Sequence, residues 1–310
     1  MGRIAILDCF EYEYEHEHEH EHEHEHEHGH GTHPNTRKKD MSIPYYQVDT
    51  FTSEIFSGNP AGVCFLAQWL DDAVLQSIAA ENYLPETAFV VQRESSFGLR
   101  WFTPTMEMDL CGHATLAPAH VIFRHLGYRD RVIRFETRAG ELTVTRDQDL
   151  LELDFPSRPA TSCPTPMLLE QGLGIAPSFT AKARDYLAVF DSESIVRELR
   201  PDMNALMQLD SIGVIATAPG KDCDFVSRFF APRAGVPEDP VTGSAHSTLI
   251  PYWAGRLSKS QLHARQISKR GGELFCEQRQ DRVGIAGRAI TYSTGNLHVQ
   301  PNGSCCYNGD

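Results

Sequence analysis

The sequence predicts a mixed α+β chain, α/β in the broad sense, in two similar halves that each wrap a sheet around one buried helix. Three observations carry that expectation. Short β-rich runs recur from Pro44 to Tyr292. Two helical stretches are apolar around almost their whole circumference, which leaves no solvent face. An eight-residue pattern recurs at the opening of both helices.

In chain order, the first half reads as strands at Pro44–Phe51, Gly62–Leu66, Thr87–Gln92, Gly98–Thr103, Arg131–Thr137, Glu141–Arg146 and Leu150–Phe155. Asp71 is placed to N-cap a helix through Asn82, with Val74, Leu75, Ile78 and Ala79 on one face. His113–Leu126 is the first buried helix, carrying Ala114, Leu116, Ala117, Ala119, Val121, Ile122, Phe123 and Leu126. The second half reads as strands at Asp185–Phe190, Ser211–Thr217, Asp224–Phe230, His263–Ser268, Arg282–Ala286 and Ala289–Tyr292. Its buried helix is Ser244–Leu257. Pro118 and Pro251 each remove an intrahelical hydrogen bond, so a kink is expected at each.

The recurring pattern aligns Glu107-Met108-Asp109-Leu110-Cys111-Gly112-His113-Ala114 with Glu238-Asp239-Pro240-Val241-Thr242-Gly243-Ser244-Ala245. The Glu, the Gly and the final Ala match in register, and duplication explains their equal placement. Pro156, Pro159, Pro164 and Pro166 mark the best boundary between the halves. Residues 41–160 are therefore expected to form one domain and 161–300 a second, with the last strand able to return to the first. Residues 301–310 read as a flexible tail.

The charge is −14 in total, half of it in the first forty residues, so the body is only mildly acidic. No Lys/Arg stripe marks the body, which argues against nucleic acid as a partner. The eight cysteines lack CxxC spacing, no secretory leader is evident, and no apolar run is long enough to span a bilayer. A cytoplasmic, reduced protein without a membrane partner is expected. Residues 1–40 are read as a separate, disordered tail, because Glu and His alternate from Glu15 to His28 and bury nothing. Its histidines, from His16 to His33, could bind divalent metal weakly; no metal site is expected in the body.

The two helix starts carry the functional expectation. A helix N-terminus presents unpaired N–H groups and a partial positive charge, so it suits an anion. Gly112 and Gly243 would let a ligand approach the bare backbone. Two such ends facing one another would hold a carboxylate, or stabilise a carbanion beside it, by fixed dipoles.

Four segments carry a family resemblance: Tyr46–Val63 (YQVDTFTSEIFSGNPAGV), Asn82–Val90 (NYLPETAFV), Asp109–Ala117 (DLCGHATLA) and Glu238–His246 (EDPVTGSAH). In order and spacing the chain resembles the PhzF-like isomerases of phenazine biosynthesis, from about Ile43 to about Val299. The resemblance implies the diaminopimelate-epimerase-like fold, two pseudo-symmetric domains each with a curled, mostly antiparallel sheet around a central helix. It also implies isomerisation of a small carboxylate-bearing molecule without any cofactor, commonly in a homodimer.

The resemblance further implies site residues. The family's catalytic glutamate falls on Glu86 in Pro85-Glu86-Thr87, its histidine on His113, and its aspartate and serine on Asp239 and Ser244. Glu86 would take a proton from carbon and return it elsewhere, as a carboxylate in a closing, partly dry cleft is suited to do. His113, Asp239, Ser244, Gly112 and Gly243 would bind substrate or relay the proton. Racemases of the same fold use two facing thiols. Cys111 occupies one of those positions and is kept as a candidate, but Thr242 occupies the other, and a hydroxyl is too weak an acid for the role. Two other readings are a catalytically silent interaction protein of the same fold and a metal-handling protein defined by its tail.

Overall fold

The computed structural model describes residues 41–300 of the chain. The Glu/His tail at residues 1–40 and the tail at 301–310 lie outside the described residues. Ile43–Leu297 form one compact unit.

The first half runs β1 (Met41–Thr50), β2 (Asn59–Leu66), α1 (Asp72–Asn82), β3 (Glu86–Gln92), β4 (Phe97–Phe102) and β5 (Glu107–Met108). It continues through α2 (His113–Arg124), β6 (Val132–Thr137), β7 (Gly140–Asp147) and β8 (Leu150–Pro156). The second half opens with β9 (Thr161–Ser162), α3 (Met167–Leu173), β10 (Phe179–Lys182), β11 (Tyr186–Val189), α4 (Glu193–Glu198) and α5 (Met203–Met207). Then come β12 (Val214–Pro219), β13 (Phe225–Ala231), β14 (Val236–Asp239) and α6 (Gly243–Leu257). The last strands are β15 (Gln261–Gln266), β16 (Gly272–Arg279), β17 (Arg282–Gly287) and β18 (Ala289–Val299).

Strand pairing repeats step for step. In the first half β1–β2 is antiparallel, β2–β3 parallel, β3–β4 antiparallel, β4–β6 parallel, and β6–β7 and β7–β8 antiparallel. In the second half β10–β11, β11–β12, β12–β13, β13–β15, β15–β16 and β16–β17 follow the same series of directions. The equivalent strands β8 and β17 pair with each other and join the halves into one mixed, curled sheet, while β18 pairs with β1. Short β5 and β14 hang at corresponding places on β4 and β13.

The repeated glutamates explain why both helix starts are held alike. Arg100 of β4 donates from Nε and Nη2 to Glu107, both at 2.7 Å. Arg228 of β13 does the same to Glu238 at 2.7 and 2.9 Å. Such planar two-point pairs fix orientation as well as distance, so each braces the turn that leads into a central helix.

Those helices are buried as their composition requires. Ala114, Leu116, Ala117, Ala119, Val121 and Ile122 of α2 are fully covered, as are Leu249, Ile250 and Trp253 of α6. Each large apolar side chain removed from water in this way contributes about 1.5–3 kcal/mol. Both helices continue unbroken through Pro118 and Pro251. Asp71 stands at the N-cap of α1, but its backbone oxygen, not its side chain, accepts from Val74 and Leu75.

The structure adds elements the pattern reading did not assign. Strand β16 carries only Leu274, Phe275 and Cys276 as apolar residues, and neighbours on both sides hold it. Helices α3, α4 and α5 span only five to seven residues, too short for a periodic signal. Strand β2 begins at Asn59, three residues earlier than expected, with Asp49 opposite Pro60. That extension carries Asn59 into the site.

Candidate active site

Five elements bring the polar groups together. Glu86 is the first residue of β3, opposite Ala61 of β2. His113 opens α2, Asn59 opens β2, Asp239 ends β14, and Thr242 precedes α6. His113 Nε2 lies 2.9 Å from Glu86 Oε2, and the contact is all but closed to solvent. The distance is that of an ion pair, and neither atom has another hydrogen-bond partner.

The other ring nitrogen, His113 Nδ1, meets two groups. Cys111 Sγ is 3.5 Å away and Asn59 Nδ2 3.2 Å away. The Asn59 amide also donates to Asp239 Oδ1 at 2.8 Å and to the Val241 carbonyl at 2.9 Å. Thr242 Oγ1 donates to the second oxygen of Asp239 at 2.5 Å. Gln266 completes the frame: its Oε1 accepts from Thr242 N at 2.9 Å, and its Nε2 donates to the Asp239 carbonyl at 2.8 Å.

Burial sets the charge states. It pushes Asp239 up to about 6, with His113 pulling the other way and the Glu86 charge adding to the rise. Burial likewise raises the Cys111 thiol, and the Glu86 charge adds to it. Burial opposes charge on the His113 ring, yet Cys111 and Glu86 at its two nitrogens outweigh burial and raise its pKa. Because the thiol stays protonated near neutrality, the Glu86 side of the ring carries that interaction.

The two glycines face each other. A methyl built on Gly243 would sit 3.7 Å from the Gly112 Cα. Gly112 has φ −68° and Gly243 is not in the left-handed region, so both positions concern space rather than conformational freedom. Neither α2 nor α6 receives a side-chain cap bond at its start. Ser244 does not join the Glu86–His113 cluster by a hydrogen bond; its Oγ accepts from Arg184 Nη2 at 3.1 Å. Buried Asp185 holds that guanidinium at 2.7 and 3.0 Å.

Glu86, Cys111 and His113 place three metal-type donors within 4.8 Å of one another. The imidazole turns Nδ1 toward the thiol and Nε2 toward the carboxylate, so one ion cannot take all three without rotating the ring. A cavity of about 500 Å³ lies elsewhere, against β7, β8 and β15–β17. Its Arg279 is already paired with Glu152 and Glu277, and none of the groups above lines it. Chemistry, not cavity size, locates the site.

Sequence reasoning named Glu86, His113, Asp239 and Cys111 in this cluster and missed Asn59, Gln266 and Arg184. Asn59 lay inside a quoted segment, whereas Gln266 and Arg184 carry no local signal.

The profile described as phenazine biosynthesis-like protein, PhzC-PhzF, matches residues 48–295. The chain belongs to the phenazine biosynthesis-like (PhzC-PhzF) family. An uncharacterized isomerase of Pseudomonas aeruginosa is 51% identical over 259 residues, covering 84% of this chain and all of that protein. The crystal structure of a PhzF-family protein from Enterococcus faecalis is 46% identical, with a TM-score of 0.82 over 84% of this chain and all of that one. A hydroxyproline epimerase from Agrobacterium vitis, 11% identical with a TM-score of 0.55 over 84% of this chain and 93% of that one, shares the fold. The protein is thus an isomerase of the PhzC-PhzF family with an epimerase-like curled sheet. No helix of the described residues is long and apolar enough to cross a membrane.

Proposed function

We propose that this PhzC-PhzF protein isomerises a small carboxylate-bearing substrate by moving one proton, with Glu86 as general acid and base and no cofactor. The observation that carries the reading is the unsatisfied Glu86 Oε2, 2.9 Å from His113 Nε2, beside the facing glycines of two uncapped helix starts. A substrate anion would lie against the first-turn amides of α2 and α6, where the helix dipoles favour negative charge. Glu86 would then reach the carbon-bound proton.

The duplicated scaffold supports a single base. Phe89 stands opposite Arg100 as Ala216 stands opposite Arg228, so the position equivalent to Glu86 is Gly213. Only one half supplies a carboxylate there. Cys111 likewise corresponds to Thr242, whose hydroxyl is committed to Asp239. A thiol pair working from both faces therefore lacks its second member. The homodimer and the division at residues 160/161 remain part of this proposal.

The test is solvent deuterium incorporation, read by mass, into a panel of β,γ-unsaturated and hydroxylated carboxylic acids. Glu86→Gln keeps the shape but cannot accept a proton from carbon, so exchange should fall by about 10²–10⁴-fold. Exchange that persists in Glu86→Gln but collapses in Cys111→Ala would overturn the assignment in favour of a thiol base.

A further inference from the structure

We infer that Arg184 is the residue that selects an anionic substrate: its guanidinium, braced by Asp185 at the start of α6, takes the substrate carboxylate together with the Ser244 hydroxyl. The inference deepens the reading of this cleft as a carboxylate site and rests on it.

Arg184 Nε and Nη2 both donate to Asp185 Oδ2, at 3.0 and 2.7 Å, and the Asp185 side chain is only 3% exposed. That pair fixes the guanidinium from one side. Nη2 also donates to Ser244 Oγ at 3.1 Å, and Nη1 has no hydrogen-bond partner among the described residues. Arg100 and Arg228, which brace the turns before α2 and α6, are spent by contrast. Each gives Nε and Nη2 to a glutamate and Nη1 to a further acceptor. Arg184 thus has donors left over beside a helix start, and its side chain, 35% exposed, is open enough for a ligand to reach.

A guanidinium can only donate, so Ser244 Oγ is the acceptor and its own hydrogen is left for another partner. No other hydrogen bond occupies that hydroxyl among the described residues, and Ser244 is partly open while Gly243, Ala245 and His246 are buried. Nη1 and the hydroxyl therefore offer two neighbouring donors to one carboxylate, with the α6 dipole in support.

The duplicated scaffold divides the labour. Tyr186 of β11 stands opposite Val214 of β12, so one step back Asp185 falls opposite Gly213 as Ala61 stands opposite Glu86. Ser244 likewise corresponds to His113. One half carries a carboxylate and an imidazole at its helix start, the other a guanidinium and a hydroxyl. An anion at the start of α2 would meet the Glu86 charge beside His113, whereas at α6 it meets a cation. The substrate carboxylate is thus turned toward α6, and the carbon that loses its proton toward Glu86.

The experiment titrates the full chain with benzoate and with its neutral isostere benzamide, read by calorimetry. The parent should bind benzoate about tenfold or more tightly than benzamide. Arg184→Gln should lose about 10–100-fold in benzoate affinity, the range for hydrogen bonds to a charged group, and keep benzamide within about twofold. That variant leaves buried Asp185 without its partner, so Arg184→Gln/Asp185→Asn, in which both side chains are neutral, is measured beside it and should show the same loss. A parent without preference for benzoate would overturn the inference, as would benzoate affinity within about twofold of the parent in either variant. Glu86→Gln should keep the benzoate preference. An error over the base then shows in deuterium exchange alone, and an error over Arg184 in binding alone.

Discussion

Gly243→Ala separates a glycine kept for folding from one kept for a ligand. The added methyl would lie 3.7 Å from Gly112 Cα, 3.9 Å from the Phe51 ring and 4.0 Å from the Phe155 ring, all ordinary van der Waals contacts. Nothing in the fold therefore has to move. Alanine is better than glycine in a helix interior by about 1 kcal/mol, and by less at the first position of α6. The melting temperature should stay level or rise by up to about 2–4 °C. The methyl nevertheless fills the space between the two helix starts, where the substrate carboxylate is proposed to lie. A ligand at about 100 times its Kd stabilises the native state by about 2.7 kcal/mol, and Gly243→Ala should lose that effect. The assay is a thermal melt in EDTA with acetate, benzoate or sulfate, alongside deuterium exchange. A variant that melts like the parent, keeps the anion-induced rise and exchanges normally would refute the placement of the anion. Gly112→Ala is the contrast: its methyl would come within 3.2 Å of the Phe155 ring, so a loss of about 1 kcal/mol of stability accompanies any loss of binding.

Cys111→Ala should leave deuterium exchange within about threefold of the parent, because the corresponding Thr242 cannot complete a thiol pair; a loss of about 100-fold or more would restore the thiol mechanism. Asp239 makes a pH prediction. Its pKa is raised from the ordinary carboxylate value to about 6, so the folded state holds the proton more tightly than the unfolded chain. Stability from this group is complete below about pH 4 and is lost as pH rises toward 6. Asp239→Asn should flatten the fall in melting temperature across that interval, and an unchanged slope would count against the assignment. Beginning the chain at Met41 should leave melting temperature and exchange unchanged; a drop of several degrees would show that residues 1–40 contribute to the folded body.

The residue pattern by itself determined the outline of this protein because its strongest signals are local. A helix without a polar face, such as α2 or α6, has to be enclosed, and the Glu107–Ala114 and Glu238–Ala245 segments placed the opening of both. The four family segments named Glu86, His113 and Asp239 because those residues sit within short, recognisable runs. Tertiary structure decided what has no local period. Gln266 and Asn59 meet Asp239 from sequence distances of 27 and 180 residues, and those hydrogen bonds exist only once β2, β14 and β15 converge. The short helices α3, α4 and α5 and the polar strand β16 take their form from their neighbours, since few residues yield too little local energy to specify a state. Charge states belong to the same class: the rise in Asp239, the protonated Cys111 thiol and the competition over His113 come from burial and facing groups that no linear pattern encodes.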